Sequence, residues 1–311
     1  MNFLVTGGAG FLGTALANRL ANDGHEVRVI DDLSAGNPAQ LDARVLFTRG
    51  DVNDRPKLWT LLQGVQCVYH LAARVSVAES VLYPREYNAA NVGGTVSVME
   101  AMRDVGVRRV VLVSSGAVYG EQAEQPLRED LTPDPTSPYA VSKLAAEFYV
   151  RTIGKLWGIE TVALRVFNAY GPGQPLPAAH APVVPHFIKR AQSGGSVVVF
   201  GNGSQTRDYV YVTDAVNAMV SAAFANGIDR QVINVGSGIE TAVADLIAEI
   251  GAAVGKPIDA IYNSGESGGV SRMRADLSRA AALLNYQPKV TLADGLRRTI
   301  ANDPRFAGSG G

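Results

Sequence analysis

Tyr139 and Lys143 are the side chains in this sequence best suited to acid–base chemistry. They lie four residues apart, and an α-helix places side chains at i and i+4 on the same face. Ser137 and Pro138 are typical of an N-cap and first helical position, so a helix should begin directly before the pair. A tyrosine is a weak base at its ordinary pKa of about 10. Because a neighbouring ammonium favours the phenolate, this pair could accept a proton from a substrate hydroxyl near neutral pH.

A further hydroxyl lies at the predicted end of a strand. The apolar residues 110–113 are followed by Ser114 and Ser115. Ligands bind at the carboxyl ends of the strands in open parallel sheets. Ser115 could therefore share a hydrogen bond with the substrate hydroxyl that Tyr139 deprotonates, and we predict a catalytic trio of Ser115, Tyr139 and Lys143.

A glycine-rich turn near the start of the chain predicts a dinucleotide site. Gly7, Gly10 and Gly13 follow the apolar residues 3–5 and open a segment with helical periodicity of its apolar residues. Glycines allow the backbone to approach a pyrophosphate, and the free amides and dipole of a helix N-terminus favour its negative charge. The sequence therefore predicts a strand, a tight turn and a helix that together bind the pyrophosphate.

Two acidic residues indicate which dinucleotide is bound. The apolar residues 27–30 end at Asp31, at the spacing expected for a carboxylate on the adenosine ribose hydroxyls. Asp31 and Asp32 would repel a 2′-phosphate, and no arginine follows within the next several residues to neutralise it. The sequence therefore favours NAD over NADP.

Short apolar runs alternate with helical patterns through the first half of the chain. Runs typical of buried parallel strands occupy 27–30, 45–47, 67–71, 110–113 and 161–166. Helical periodicity covers 92–105 and 138–157. This alternation predicts an α/β fold with a doubly wound parallel (Rossmann) sheet.

The second half predicts a smaller α/β region that binds the substrate. We expect the Rossmann domain to span residues 1–170, with residues 212–236 returning to it. The substrate-binding region would comprise residues 171–211 and 237–303, and residues 304–311 would form a flexible tail. Helical patterns lie near residues 212–224, 243–254, 277–284 and 292–300.

The composition fits an ordered globular protein that binds neither nucleic acid nor membranes. The 311 residues are 47% hydrophobic and 18% charged, and the net charge of −1 includes no long basic run. No apolar run is long enough to span a bilayer, and the early first strand leaves no room for a signal peptide, so we expect a cytoplasmic protein. The single cysteine, Cys67, lies in a predicted buried strand; we predict no disulfide within the chain and no metal site.

Six segments occur together in one order along the chain. They are TGGAGFLG at 6–13, YHLAA at 69–73, SSGAVYG at 114–120, YAVSK at 139–143, RVFNAYGP at 165–172 and GNGSQTRDYV at 201–210. In this combination the chain resembles the extended short-chain dehydrogenase/reductases, specifically their sugar-nucleotide epimerase/dehydratase branch. The resemblance extends to about Pro288.

The resemblance implies NAD as the cofactor and assigns residues to it. Tyr139 would be the base, Lys143 would hold the ribose and lower the pKa of Tyr139, and Ser115 would bridge to the sugar hydroxyl. The residues expected along the cofactor are Gly7, Gly10, Phe11, Leu12, Gly13, Asp31, Asp32, Ser34, Gly36, Asp51, Val52, Leu71, Ala72, Ala73, Asn91, Ser114, Tyr139, Lys143 and Phe167.

The resemblance also implies a nucleotide-diphosphate sugar as the substrate, with uridine as the expected base. Asn168 and Arg207 would bind the diphosphate, a task suited to an amide and a guanidinium fork. The alternative for Arg207 is an ion pair with Asp208. The residues expected to pack against the nucleobase are Val183, Val198 and Phe200.

One arginine assignment stays open. Family members commonly carry a phosphate-binding arginine shortly before the segment 275–278. Arg272 and Arg274 both qualify, because the glycine-rich residues 265–269 obscure the alignment. The same segment tunes sugar size in relatives, so the sugar stays open among glucose/galactose, an N-acetylhexosamine and a hexuronic acid.

Gly116 and Ala117 indicate the reaction type. Related dehydratases and decarboxylases carry an acidic residue there, whereas these side chains can neither donate nor accept a proton. We therefore predict a 4-epimerase that works through a transient 4-keto sugar. The alternatives are a dehydratase, a keto-sugar reductase that consumes NADH, and a non-catalytic NAD-binding regulator. The family also implies a homodimer with a four-helix interface formed by residues 92–105 and 138–157.

Overall fold

The protein is built around one seven-stranded sheet in which neighbouring strands are parallel. The computed structural model describes residues 1–263, 265 and 269–307. With strands numbered along the chain, the sheet contains β1 (Asn2–Thr6), β2 (Glu26–Asp31), β3 (Leu46–Arg49), β4 (Cys67–His70), β5 (Arg109–Ser115), β6 (Glu160–Val166) and β11 (Gln231–Val235). Their order across the sheet is β11-β6-β5-β4-β1-β2-β3. The predicted doubly wound α/β fold is confirmed.

The strand order reverses its direction at β1, which lies between β4 and β2. From β1 the chain proceeds outward to β2 and β3, and then crosses to β4 on the other side. In open α/β sheets, ligands bind at the carboxyl edge beside such a switch point. The turns after β1, β2, β4 and β5 therefore share one edge of the sheet.

Helices cover both faces of this sheet. In chain order they are α1 (Phe11–Asn22), α2 (Arg55–Leu61), α3 (Val77–Leu82), α4 (Pro84–Tyr87), α5 (Gly94–Val105), α6 (Pro138–Trp157), α7 (Val183–Gln192), α8 (Val212–Phe224), α9 (Val243–Val254), α10 (Ser278–Leu284) and α11 (Leu292–Asn302). One core joins α1 and α8 to strand residues such as Phe3 and Val5. A second core joins α2, α5 and α6 to the alternate strand residues, including Leu4. Because both faces are buried, the strands appear in the sequence as continuous apolar runs.

Helix α6 begins and ends where its sequence predicts. The Ser137 hydroxyl accepts a hydrogen bond from the Ala140 amide, and Pro138 occupies the first turn. Gly158 ends the helix in the left-handed conformation, with φ of +68°. Helix α5 begins at Gly94 rather than at residue 92, because a π-helical turn over Asn88–Gly93 precedes it.

Three two-stranded sheets form the smaller region. A parallel pair joins β7 (Asn168–Tyr170) to β10 (Tyr209–Tyr211), and another joins β8 (Val197–Phe200) to β13 (Ala260–Asn263). An antiparallel pair joins β9 (Thr206–Arg207) to β12 (Thr241–Ala242). Residues 212–236 form α8 and β11, and β11 pairs with β6 at the edge of the large sheet.

The two regions share one continuous hydrophobic core. It runs from Leu16 and Val29 of the large sheet to Leu246 and Leu296 of the smaller region. Phe306 belongs to the same core and is only 2% exposed, and its carbonyl accepts a hydrogen bond from the Gln192 side chain. A tail from residue 304 is therefore a wrong prediction for residues 304–307, because Phe306 anchors them; residues 308–311 lie outside the described part of the chain.

Candidate active site

Glycines shape the turn between β1 and α1, because larger side chains would clash with the backbone there. Gly7 has φ of +67°, and a Cβ built on it would lie 2.6 Å from the Ala72 amide nitrogen. A Cβ on Gly13 would lie 2.1 Å from the Gly7 carbonyl oxygen. Gly10 is the N-cap residue of α1 and brings no capping side chain, so the helix amides face the turn. Phe11 and Leu12 form the first turn of α1. This arrangement fits the pyrophosphate of a dinucleotide.

Asp31 lies directly beside this turn, at the end of β2. Its carboxylate accepts hydrogen bonds from the Ala9 amide at 3.0 Å and the Leu33 amide at 2.8 Å. Burial raises the pKa of Asp31, whereas these two amide hydrogen bonds lower it. The side chain is therefore held where a ribose next to the glycine turn would meet it.

The loop after Asp31 closes over the turn. The Asp32 carboxylate accepts hydrogen bonds from the Ser34 amide and hydroxyl, at 2.9 and 2.7 Å. Gly36 packs so closely on Ala9 that a Cβ would lie 2.9 Å from it. Asp32, Ser34 and Gly36 thus shape the wall around Asp31.

The ends of β3 and β4 complete the same edge. Val52 is buried against Gly94, while the Asp51 carboxylate accepts the amide hydrogen bond of Asn53 at 2.8 Å. Leu71, Ala72 and Ala73 are half-buried after β4. The Leu71 amide donates to the Thr6 carbonyl at 3.1 Å, and the Ala72 amide donates to the Thr6 hydroxyl at 3.2 Å. These residues line the crevice beside the glycine turn.

Asn91 shapes the loop after β4 through its amide. The Asn91 side chain accepts from the Arg74 amide at 2.8 Å, donates to the Arg74 carbonyl at 3.0 Å and donates to the Ser142 hydroxyl at 2.9 Å. It is almost fully buried. These contacts tie the loop over 72–74 to α6, and the position of Asn91 near the cofactor stays a prediction.

The structure brings Ser115 and Tyr139 together at the carboxyl edge of β5. Tyr139 is buried, and burial raises the pKa of its phenol. The Ser115 hydroxyl is a hydrogen-bond partner of the phenol and lowers that pKa. The Ser115 oxygen also accepts a hydrogen bond from the Ala117 amide at 3.1 Å, which orients it at the strand end.

Lys143 is buried one helical turn from Tyr139. Its ammonium donates a hydrogen bond to the Val113 carbonyl at 2.7 Å. Burial lowers the pKa of Lys143 to about 8, while Glu147 acts to raise it. The protein alone holds the pKa of Tyr139 above its ordinary value, because burial outweighs the hydrogen bond from Ser115. A lowering of this pKa by Lys143 stays a prediction.

Ser114 faces the opposite side of the sheet from Ser115. Its hydroxyl donates to a carboxylate oxygen of Glu147 at 2.5 Å, in the buried layer under α6. Successive strand residues point to opposite faces, so the Ser114 side chain lies on the other face from that of Ser115. A contact between Ser114 and the cofactor stays a prediction.

Phe167 forms a wall behind the catalytic hydroxyls. A Cβ on Gly116 would lie 3.2 Å from three atoms of the Phe167 ring. The Phe167 ring centroid is 6.3 Å from that of Tyr119. A side chain at position 116 would therefore fit only if the Phe167 ring moved by a few tenths of an ångström.

An apolar surface suited to a nucleobase lies on β8. Val197 and Val199 are buried in the core, whereas Val198 and Phe200 alternate with them and are each 48% exposed. In the parallel pair of β8 and β13, Ile261 is the register partner of Val198 and is also exposed. Val183, which begins α7, is half-buried.

Arg207 and Asn168 lie on the neighbouring short strands. A guanidinium nitrogen of Arg207 donates to the Thr206 and Val270 carbonyls, each at 2.7 Å. The backbone amide of Asn168 donates to the Asp208 carbonyl at 3.0 Å. The Asp208 carboxylate instead accepts bonds from the side chain of Ser237 and from three amides, those of Ser237, Gly238 and Ala275. Asp208 thus stabilises backbone turns.

Arg272 and Arg274 both act on Glu240. Arg272 forms two hydrogen bonds of 2.7 Å with the Glu240 carboxylate, and Arg274 also acts on Glu240 to lower its pKa. The intervening Met273 is buried against Tyr119 and Phe167. The side chain of Arg272 is exposed, whereas Arg274 is half-buried. A diphosphate contact from either arginine stays a prediction.

Two buried polar groups next to the site were not predicted from the sequence. His70 bonds through its two ring nitrogens to the hydroxyls of Thr6 at 2.7 Å and Thr95 at 2.9 Å. Glu147 forms a buried ion pair with Arg165 at 2.8 Å. In the sequence, each of them is visible only as a charged or polar residue inside an otherwise apolar pattern.

The sequence model of the NAD dependent epimerase/dehydratase family matches residues 3–236. This span holds the glycine turn, Asp31, Ser115, Tyr139 and Lys143. The chain belongs to this family. NAD is therefore the ligand expected at the glycine turn and the Asp31 carboxylate.

Relatives within this family resemble the chain over almost its whole length. It is 39% identical to UDP-glucose 4-epimerase of Mycolicibacterium smegmatis, covering 96% of this chain and 97% of that protein. The solved UDP-glucose 4-epimerase of Thermotoga maritima, determined with UDP-glucose, is 35% identical, with a TM-score of 0.92 and coverage of 96% and 97%. The UDP-N-acetylglucosamine 4-epimerase of Methanobrevibacter ruminantium, in complex with UDP-N-acetylmuramic acid, is 33% identical, with a TM-score of 0.91 and 96% coverage of both chains.

None of the described helices has the length and apolar character needed to cross a membrane. Within the described residues, no group of three or more His, Cys, Asp or Glu side chains is arranged to hold a metal ion.

Proposed function

We propose that the protein is an NAD-dependent 4-epimerase that acts on a UDP-linked sugar. The observation that carries the proposal is the contact between Ser115 and Tyr139 at the switch-point edge, beside Gly116 and Ala117. Such a site can remove and return one hydroxyl proton, and neither neighbouring side chain offers the acid that an elimination needs. The names of the relatives agree with this reaction.

Ser115, Tyr139 and Lys143 have separate roles in this reaction. NAD supplies the hydride acceptor and donor when it is bound. Tyr139 takes the proton of the C4 hydroxyl and later returns it, while the Ser115 hydroxyl holds the sugar oxygen in line with the phenol. The Lys143 ammonium stabilises the phenolate of Tyr139 and binds the cofactor ribose.

Substrate binding is assigned to the smaller region. The exposed apolar side chains of Val198 and Phe200, together with Val183, form the packing surface for the uracil ring. Asn168 and Arg207 bind the diphosphate, which stays anchored while the flat 4-keto sugar presents its other face. The Arg207 guanidinium suits this task because its two contacts with backbone carbonyls fix its plane.

A panel of nucleotide sugars tests the function and identifies the substrate. The purified protein would be incubated with the glucose, galactose, N-acetylhexosamine and hexuronate forms of UDP- and dTDP-sugars, and products would be separated by chromatography. We expect one UDP-linked pair to interconvert in both directions. Loss of water from the product would favour a dehydratase, and a stoichiometric change in nicotinamide absorbance would favour a net reductase.

Two further properties complete the proposal. We infer that the protein acts as a cytoplasmic homodimer. Support for the dimer comes from an apolar surface on α3 and α6, where Val81, Leu82, Phe148 and Leu156 are all exposed. A cleft of about 550 Å³ between α4 and the start of α6 adjoins this surface. A second copy would bury these side chains in a helical interface.

A further inference from the structure

A buried acidic residue connects Lys143 with the central sheet. Glu147 follows Lys143 by one turn of α6 and is 1% exposed. Its carboxylate forms two hydrogen bonds with Arg165, at 3.0 and 2.8 Å, and accepts the Ser114 hydroxyl at 2.5 Å. A buried carboxylate with three donors is fixed in position, because moving it would leave several polar groups unpaired.

Arg165 is fixed on its other side by an aromatic ring. Its guanidinium lies over the Tyr119 ring, 4.6 Å from the centroid. The Tyr119 hydroxyl in turn donates to the Asn234 side chain at 2.7 Å. Arg165 is therefore held between the Glu147 carboxylate and the Tyr119 ring.

Among the described residues, Glu147 is the charged group that acts on the pKa of Lys143. The groups that face Lys143 are Glu147 and Tyr139 on α6 and His70 on β4. Burial and the nearby Lys143 together lower the pKa of His70 to about 3, so the imidazole is neutral at physiological pH. Burial also lowers the pKa of Lys143 to about 8, and Glu147 is the neighbour that opposes this effect.

We propose that Glu147 is a positioning residue for the reaction: it keeps the buried Lys143 ammonium charged and directed at the Val113 carbonyl, next to Tyr139. This inference rests on the proposed function for its catalytic meaning, since a charged Lys143 is what stabilises the Tyr139 phenolate. Arg165 and Ser114 hold the Glu147 carboxylate, and they act on Lys143 only through it.

Direct titration of Lys143 tests the proposal without any turnover. The chain contains six lysines, so ¹³C-lysine labelling gives a small set of NMR signals, and the Lys143→Arg variant identifies the signal of Lys143. The pH midpoint of that signal would be followed in the wild-type protein, in Glu147→Gln and in Arg165→Gln. Circular dichroism and the thermal midpoint would establish that each variant is folded.

Only Glu147→Gln should move this midpoint to lower pH. Glu147→Gln removes a negative charge and should lower the Lys143 pKa by about one unit or more. Arg165→Gln removes a positive charge and should leave that pKa unchanged or raise it. General loosening of the core would instead hydrate Lys143 and raise its pKa in both variants, so the sign separates an electrostatic role from a structural one.

Activity profiles then connect this shift with the reaction. The group with the lowered pKa loses its charge at lower pH, so the alkaline limb of kcat against pH should move to lower pH in Glu147→Gln by the same amount. A folded Glu147→Gln protein with an unchanged or raised Lys143 pKa would overturn the proposal. If Glu147→Gln does not fold, the Glu147→Gln/Arg165→Gln double variant removes both charges of the buried Glu147–Arg165 ion pair. This double variant must still show a lowered Lys143 pKa. Failure of epimerisation in the wild type would overturn only the proposed function, because the titration needs no substrate.

Discussion

The surroundings of Tyr139 favour its protonated phenol as long as no cofactor is bound. Burial holds the pKa of its phenol above the ordinary value, and only the Ser115 hydroxyl acts against this. A phenolate in this position therefore depends on positive charge nearby, from Lys143 and from the oxidised cofactor. This dependence would keep the phenol unreactive in the absence of cofactor.

Replacing Tyr139 with phenylalanine should remove the acid–base step with little change in shape. We expect kcat to fall by about 10²-fold or more, because proton transfer by a positioned side chain contributes that much. NAD should remain bound. Tyr149→Phe is the matched control, since Tyr149 lies on the same helix but is exposed. Initial rates for both variants within a few-fold of the wild type would show that Tyr139 is not the base.

Asp31→Ala should relax the preference for NAD. Its carboxylate is held beside the glycine turn by two amides, where it would accept the ribose hydroxyls and repel a 2′-phosphate. Charged hydrogen bonds of this kind contribute about 1–3 kcal/mol. Titration calorimetry of the apo-protein with NAD and NADP measures the affinity ratio. Asp32→Ala should change that ratio less, because Asp32 binds Ser34; an unchanged ratio in Asp31→Ala would show that its carboxylate does not contact the ribose.

Some site residues could be predicted from the sequence and the surroundings of others could not. Residue types and spacing predict Ser115 and Tyr139 as partners, and the structure places them together. The partner of the Ser114 side chain depends instead on which face of a strand that side chain takes. The surroundings of Arg272 and Arg274 depend in the same way on the local register around Met273, which a sequence alone does not fix.

The glycine turn and α1 act as one preformed element. Gly13→Ala would place a methyl group 2.1 Å from the Gly7 carbonyl oxygen. The turn would have to open, so we expect loss of NAD binding and a cost of about 1–3 kcal/mol in the free energy of unfolding. Denaturant unfolding and NAD titration measure both effects.

Gly93→Ala provides the matched glycine control. A Cβ there would lie 3.6 Å from the Asn53 side chain and 3.9 Å from the Asn88 carbonyl oxygen, both ordinary contact distances. Because alanine restricts the unfolded chain more than glycine does, this variant should be neutral or more stable by about 0.5–1 kcal/mol. Equal damage from Gly93→Ala and Gly13→Ala would contradict a specific role for the turn.

Long elements were predictable and short ones were not. Helix α6 has an N-cap, a proline, many turns of periodicity and a terminal glycine, and its predicted bounds match the structure. Helices α3 and α4 have six and four residues, too few for a repeating pattern to emerge. The π-helical turn over Asn88–Gly93 has no signature in residue type, so α5 begins later than predicted.

One continuous apolar cluster joins the smaller region to the large sheet. Under the proposed function, this shared core would hold the sugar-binding residues in place over the edge of the sheet that carries Tyr139. The sequence patterns predicted a separate smaller region from residue 171. They did not predict the shared core, because it forms between segments that are distant along the chain.

The exposed apolar surface of α3 and α6 should mediate assembly. Phe148 is 57% exposed and Leu156 is 73% exposed on α6. Phe148→Glu/Leu156→Glu should convert a dimer into a monomer, because burying the introduced charges would be costly. Sedimentation velocity measures the mass. Trp59→Glu, on the distant helix α2, should leave the assembly unchanged, and a wild-type monomer at micromolar concentration would contradict the proposed dimer.

Isotope transfer tests 4-epimerisation most directly. A UDP-sugar that carries deuterium at C4 would be converted in ordinary water, the unlabelled sugar would be converted in D₂O, and both products would be analysed by mass spectrometry. Because Tyr139 handles only an exchangeable hydroxyl proton, the account predicts that the C4 deuterium stays at C4 and that no solvent deuterium enters C5 or C6. Solvent deuterium on carbon, loss of the C4 label or a product lighter by one water would contradict it.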